Sequence, residues 1–173
     1  MIATERLVLR RFRPSDTPVL AAYRADPAVA RYQSWEPTAP VPYFGDGEPD
    51  IPGWFQYAIE RVADRVLVGD VGVNTHENLM QAEIGFTLAR AEQGRGYATE
   101  AVTGLLGHLF RVRGLHRVSA GCDARNTASA RLLERAGFTR EGLRREHSWH
   151  KNEWTDELLF GLLARDWLPI RSA

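Results

Sequence analysis

Glu83-Ile84-Gly85-Phe86-Thr87-Leu88-Ala89-Arg90-Ala91-Glu92-Gln93-Gly94-Arg95-Gly96-Tyr97-Ala98-Thr99-Glu100 is the stretch on which the reading of this sequence turns. A strand-like run ends at Leu88, a short turn follows, and Gln93 to Ala98 opens a helix. Small residues at 94, 96 and 98 let a backbone come close to a ligand without Cβ collisions. The free N–H groups of a helix's first turn, with its dipole, then form an anion site that suits a phosphate-bearing guest. A tight strand-to-helix turn with no ligand is the bland alternative. Two common nucleotide patterns are excluded. The G-x-x-x-x-G-K-[ST] loop fails for want of a lysine. The G-x-G-x-x-G fingerprint fails because its third glycine position is Thr99, and no acidic ribose partner stands near residues 117–119.

Upstream, Trp54–Glu60, Val66–Val73 and Ala82–Leu88 read as three successive strands. Residues 2–12 read as one further strand. Pro14-Ser15-Asp16 starts a short helix with Val19, Leu20, Ala22 and Tyr23 on one face, which Asp26-Pro27 interrupts. Residues 36–52 hold five prolines and two of the glycines in this part of the chain, which predicts a long loop. The aromatic residues Tyr32, Trp35, Tyr43 and Phe44 in and beside it indicate that it folds onto the domain. Downstream, Ala98–Phe110 has the spacing of an amphipathic helix, Arg117–Cys122 of a buried strand, and Asn126–Ala136 of a second helix stopped by Gly137. Phe138–Trp149 and Glu153–Leu163 are strands around the turn His150-Lys151-Asn152. The order β-α-βββ-α-β-α-ββ predicts an α/β fold, a mixed sheet with helices on both faces and at least one parallel pair.

Three segments in this order resemble the GCN5-related N-acetyltransferases (GNAT). Gln93-Gly94-Arg95-Gly96-Tyr97-Ala98 matches their Q/R-x-x-G-x-G/A motif. Asn126-Thr-Ala-Ser129-Ala-Arg-Leu132-Leu133-Glu-Arg-Ala-Gly137-Phe138 is similar to their N-x-x-S-x-x-L/V-x-x-x-x-G-F segment. Ala82-Glu83-Ile84-Gly85-Phe86 and Arg31-Tyr32-Gln33-Ser34-Trp35 resemble the ribosomal-protein (RimJ/RimL-like) branch. The resemblance implies a mostly antiparallel sheet splayed between the strands at 83–88 and 117–122. It implies acetyl-coenzyme A as cosubstrate, with the pantetheine arm along Phe86, Thr87 and Leu88, and the pyrophosphate on the amides of Gln93, Gly94, Arg95, Gly96, Tyr97, Ala98 and Thr99. The Leu88 N–H becomes the donor to the acyl oxygen. Asn126 meets the coenzyme, Ser129 protonates the leaving thiolate, and Glu83 accepts the proton of the attacking amine. Tyr32, Trp35 and His147 belong to the acceptor site, and a homodimer is the assembly implied.

Each residue also has a plainer reading. Asn126 is a good helix N-cap, Ser129 a small helix residue, Glu83 a solvated strand carboxylate and His147 a surface histidine. Cys122 reads as core. Arg111, Arg113, Arg117, Arg131 and Arg135 read as a solvated rim, some of them facing the coenzyme's 3′-phosphate. Ser148, with Glu146 adjacent, stands where the ribosomal-protein branch carries a carboxylate base.

The composition bounds these readings. At 173 residues the chain makes a single domain, 1–173. Lys+Arg and Asp+Glu are both 22, so the net charge is zero, which argues against a nucleic-acid partner or a polybasic membrane anchor. One cysteine excludes an internal disulfide and a multi-cysteine metal site, and no metal is expected. No apolar run reaches the ~20 residues of a spanning helix, and a cytoplasmic protein is expected. The expected activity is acetyl transfer to a primary amine by direct attack in a ternary complex. The acceptor is read as a protein N-terminal α-amine, or alternatively a small amine such as an antibiotic, polyamine or amino acid. A non-catalytic acyl-coenzyme A sensor and a nucleotide-binding regulatory domain are the readings outside enzymology.

Overall fold

Alternating side chains write the sheet. A computed structural model describes residues 1–42 and 44–167; Tyr43 lies outside the described residues. The strands are β1 (Ile2–Ala3), β2 (Leu7–Arg11), β3 (Gly53–Arg61), β4 (Leu67–Thr75), β5 (Gln81–Leu88), β6 (Arg117–Asp123), β7 (Thr139–His150) and β8 (Glu153–Leu163). They form one sheet in the order β1-β2-β3-β4-β5-β6-β8-β7. Every adjacent pair is antiparallel except β5 and β6. The helices are α1 (Thr17–Arg24), α2 (Pro27–Ala30), α3 (Tyr97–Gly107), α4 (Thr127–Ala136) and α5 (Ala164–Trp167).

Strand parity sorts the helices onto two faces. Tyr57 and Ile59 of β3 join the larger core, where α3 and α4 contribute Ala101, Val102, Leu105 and Leu133. Ala58, between them, joins a smaller core with Phe12, Leu20, Tyr23 and Val29 on the opposite face. The splayed, mostly antiparallel α/β sheet expected from the sequence is therefore the observed one.

Two local expectations need correction. The single strand over 2–12 is two strands that pair with each other, Ile2 opposite Leu9 and Ala3 opposite Val8. Their turn is anchored by the Glu100 carboxylate of α3, which accepts from Thr4 Oγ1 at 2.6 Å and from the Arg6 N–H at 2.7 Å. Gly104, one turn further along α3, makes this approach possible, since a Cβ there would stand 2.5 Å from Thr4 Cγ2. The helix expected to end at Phe110 is α-helical only to Gly107 and continues as a π-helical turn, His108–Val112.

The proline-rich segment has no long regular element, as its composition requires. It is tied across the sheet edge: Arg113 donates to Pro49 O at 3.0 Å and pairs with Asp50 at 3.1 Å, and Arg11 pairs with Glu48 at 2.7 Å. Phe44 packs on Phe12 with ring centroids 5.5 Å apart. Arg113 and Arg117 are thus not free members of a solvated rim. The first holds the loop, and the second is bound to Glu141.

Candidate active site

β5 and β6 pair only at Gln81↔Arg117, Ala82↔Val118 and Glu83↔Ser119, and beyond Glu83 they diverge. On its other side β5 stays paired with β4 as far as Leu88, opposite Gly69. The N–H and C=O of one strand residue point to the same side, and successive residues alternate. Ala89 N–H donates to Val68 O at 2.9 Å. The main-chain groups of Thr87 therefore face β4, and those of Phe86 and Leu88 face the gap. Two side-chain amides agree with this assignment. Gln93 Nε2 donates to Leu88 O at 3.1 Å, and Gln33 Nε2 to Phe86 O at 3.4 Å. The N–H groups of Phe86 and Leu88 are left facing a gap where, among the described residues, no strand continues. An extended ligand that carries amides can take the place of that strand.

The gap leads to the glycine turn. Gly94 and Gly96 adopt φ of 76° and 82°, left-handed values that side chains with a Cβ resist. Gly96 is the N-cap of α3, and the first intrahelical bond is Glu100 N–H to Gly96 O at 3.0 Å. The N–H groups of the preceding turn lie at the positive end of the helix dipole. Arg6 Nη1 donates to Arg95 O at 3.1 Å and braces the turn from behind. Together these elements wall an elongated cleft of about 1160 Å³. A phosphate-bearing ligand with an amide arm fits this cradle: amides at one end, an open strand edge at the other, and no Cβ at residue 94 to fill it.

The cleft gathers most of the residues singled out in the sequence. Phe86, Thr87 and Leu88 line one wall, and Gln93, Gly94, Gly96, Tyr97, Ala98 and Thr99 line the turn. Asn126 and Ser129 come from the start of α4, and Tyr32 from the segment after α2. Asn126 caps α4, its side chain accepting from the Ser129 N–H at 3.2 Å, so its amide nitrogen is still available to donate. Arg131 and Arg135, one and two turns further along α4, supply positive charge at the cleft.

Four of the expected residues, Glu83, His147, Trp35 and Glu146, stand elsewhere, and Arg95 keeps only its main chain in the turn. Its side chain pairs with Glu92 at 3.5 Å. Glu83 sits at the closed end of the splay, between Asn74 and Ser119, and lines neither the cleft nor the cavity described next. His147 is exposed on β7, 3.2 Å from Arg144 Nη1 and 3.6 Å from Glu157. Trp35 belongs to a second cavity. Glu146 is exposed, and its N–H is held by Asp156 at 2.8 Å.

The second cavity, about 500 Å³, opens on the other side of β5 and shares Gln33, Phe86 and Thr87 with the cleft. Aromatic walls come from Trp35, Phe44 and Trp54. Its polar groups include Asp70 of β4, Arg24 of α1, Gln56 of β3 and Asp46 of the proline-rich segment. Asp70 is the register partner of Thr87, so its carboxylate lies beside the point where the two spaces meet. The Tyr23 hydroxyl and the Gln56 amide both donate to it. Burial nonetheless pushes the Asp70 carboxyl up to about 6, because desolvation of the charged form outweighs those bonds and the nearby Arg24. Arg24 lies flat on the Trp35 ring, 3.7 Å from its centroid, and burial lowers its affinity for its proton.

Asp70, Arg24 and Gln56 escaped the sequence reading, although two of them left a signal. Asp70 is a lone carboxylate inside the apolar run Val66–Val73, where a solvated strand residue is out of place. Arg24 falls four residues after Leu20, in phase with the buried stripe of α1. Cys122 is half-buried, and burial pushes its thiol up to about 11. Among the described residues no group of three or more His, Cys, Asp or Glu is arranged to hold a metal ion, and no helix is long and apolar enough to cross a membrane.

This cradle is that of an acyl-coenzyme A transferase, and comparison with known proteins names the family. The Acetyltransferase (GNAT) domain family matches residues 6–139, and the chain belongs to it. A protein of Bacillus licheniformis named uncharacterized N-acetyltransferase p20 is 34% identical over 175 residues, covering 95% of this chain and 96% of that protein. The ribosomal protein uS5-alanine N-acetyltransferase of Escherichia coli is 29% identical over 106 residues, 58% of this chain and 55% of that one. The spermidine N-acetyltransferase of Vibrio cholerae, solved with CoA and spermine, superposes with a TM-score of 0.81 at 20% identity, covering 95% of this chain and 99% of that one, and so shares the fold. The chain is an acetyl-CoA-dependent N-acetyltransferase.

Proposed function

We propose that the protein moves the acetyl group of acetyl-CoA to the primary amine of a small molecule by direct attack in a ternary complex. Acetyl-CoA supplies an activated thioester, and this chain's residues orient it, hold the amine and move protons. In this reading the amides of residues 94–99 hold the diphosphate, and the edge of β5 at Phe86 and Leu88 takes the pantetheine amides. The Leu88 N–H donates to the acyl oxygen as negative charge develops there. The amine enters from the second cavity, and Asp70 holds and deprotonates its ammonium. A carboxyl at about 6 is both ionised at neutral pH and basic enough to take a proton. Ser129 returns a proton to the departing thiolate, with Asn126 fixing the helix start beside it. Cys122 is a poor nucleophile with its thiol at about 11, which favours direct attack over an acyl-enzyme. Glu83, at the closed end of the splay, reaches the amine only through solvent.

The observation that carries the small-molecule reading is the second cavity itself. It is a compact, solvent-open recess lined by Trp35, Phe44 and Trp54, and it meets the cleft at Gln33, Phe86 and Thr87. The relative that acetylates a ribosomal-protein alanine favours a second reading, an N-terminal α-amine of a protein. Thiol release from acetyl-CoA, followed with a panel of small amines and of peptides with free N-termini, separates them. Turnover with small amines and none with peptides is expected. Preference for peptides overturns the acceptor assignment, and coenzyme binding without turnover of any amine favours a sensor.

A further inference from the structure

Arg24 meets no hydrogen-bond acceptor with its guanidinium among the described residues. It is only 9% exposed, and its Nε is buried without a hydrogen bond. Among the described residues its guanidinium forms no ion pair, and its contacts are the faces of Trp35 and Phe44, at 3.7 Å and 5.8 Å from the ring centroids. The other buried arginine among the described residues is not left so. Arg10, equally buried, donates to Asp16 through two nitrogens at 2.7 and 2.9 Å and to Glu60 at 2.6 Å. A buried N–H with no acceptor is costly to the folded state, and Arg24 lines the cavity where an acceptor could bind.

The neighbouring charge narrows the guest. Asp70 and Arg24 influence each other's ionisation, yet they do not meet as an ion pair. The two oxygens of Asp70 accept from the Tyr23 hydroxyl and the Gln56 amide instead. The cavity therefore presents a buried carboxylate and a buried guanidinium beside aromatic side chains, with the exposed Asp46 as a second carboxylate among its lining residues. Resting on the acetyltransferase reading above, we infer that the acceptor is an α-amino acid or close analogue, its ammonium at Asp70 and its carboxylate on the Arg24 guanidinium. The planar fork matches a carboxylate in two-point fashion. A phosphate dianion is disfavoured, because Arg24 is the single cation among the described lining residues and stands beside both Asp70 and Asp46. Trp35, Phe44 and Trp54 then select an apolar or aromatic side chain, and the polar ends of the guest neutralise both buried groups.

The test compares matched acceptors: apolar and aromatic L-amino acids, their carboxamides, and the corresponding amines without the carboxyl group. Thiol release is measured for the parent, Arg24→Met and Arg24→Lys. Quenching of tryptophan emission by the same compounds, in the presence of CoA, reports binding independently of turnover. Titration with CoA checks that each variant keeps its coenzyme site, and circular dichroism that it is folded. In the parent, kcat/KM for the amino acid should exceed that for its carboxamide by about thirtyfold or more, the scale of a buried charge pair losing one partner. Arg24→Met should erase that preference, and Arg24→Lys should restore part of it. Amino acid binding without turnover would uphold the site and count against the acetyltransferase reading alone. Turnover of amines with no carboxylate preference would overturn the inference and leave the enzyme assignment standing. A preference that survives Arg24→Met, or neither binding nor turnover of any amino acid in folded, CoA-binding parent, would also overturn it.

Discussion

The cleft and the second cavity meet at Thr87, yet they are built by different means. The coenzyme-holding wall of the cleft is made of backbone: a diverging strand edge, two left-handed glycines and a helix start, all within residues 86–99. The cavity is made of side chains from α1, β3, β4 and the proline-rich segment, each contributing one polar group. Backbone sites recognise a ligand common to many proteins. Side-chain sites can vary while the fold stays the same, which is why a shared fold does not fix the acceptor.

Substitutions at Asp70 break this contrast most sharply. Asp70→Asn is expected to lower kcat/KM by about 100-fold or more, the scale of a lost general base, with CoA affinity unchanged. The parent's kcat/KM should rise with pH through about 6 as Asp70 ionises, and that limb should vanish in the variant. Glu83→Gln is the companion measurement, expected within about threefold of the parent because Glu83 lines neither space. A large loss there together with a mild Asp70→Asn would return the base role to Glu83.

Ser129→Ala should act more weakly, lowering kcat by about tenfold, since a thiolate with an ordinary pKa near ~8.5 leaves with little help. Its effect should be on kcat, with KM for the amine kept, because Ser129 stands in the cleft and not in the cavity.

The smallest expected effect is on stability, and its sign opposes that on activity. The Asp70 carboxyl sits at about 6 in the folded state against its ordinary 3.8. The folded state therefore holds the proton more tightly, and stability falls as pH rises between those values. Once both states are ionised the cost is about 3 kcal/mol. Asp70→Asn should therefore unfold at a higher temperature than the parent at pH 8, by an amount worth about 1–3 kcal/mol, with the difference fading by about pH 4. Equal melting temperatures at both pH values would remove the buried-charge account of this site.

The same division explains what could be read in the sequence. Gln93 to Thr99 was legible because a strand end, paired glycines and a helix start are local signals within one short window. The divergence of β5 from β6 was expected from family resemblance, not from periodicity, which cannot show where a pairing stops. The break at Thr4–Arg6 was hidden because its cause, the Glu100 carboxylate, lies far along the chain. The cavity was hidden for a related reason. Asp70 reads as one polar letter in a strand and Arg24 as one charge on a helix, and only the fold sets them beside Trp35 and Phe44.

Calorimetric titration of the folded protein with acetyl-CoA, beside Gly94→Val, tests the central claim most directly. Residue 94 has φ of 76° and space in which a Cβ meets no protein atom within 4 Å, so a side chain there burdens the turn and the ligand rather than the core. The account predicts saturable binding at one site in the parent and a loss of about 100-fold or more in Gly94→Val, equivalent to about 2.7 kcal/mol. Folded parent that gives no binding heat, or a Gly94→Val variant that binds as the parent does, would contradict it.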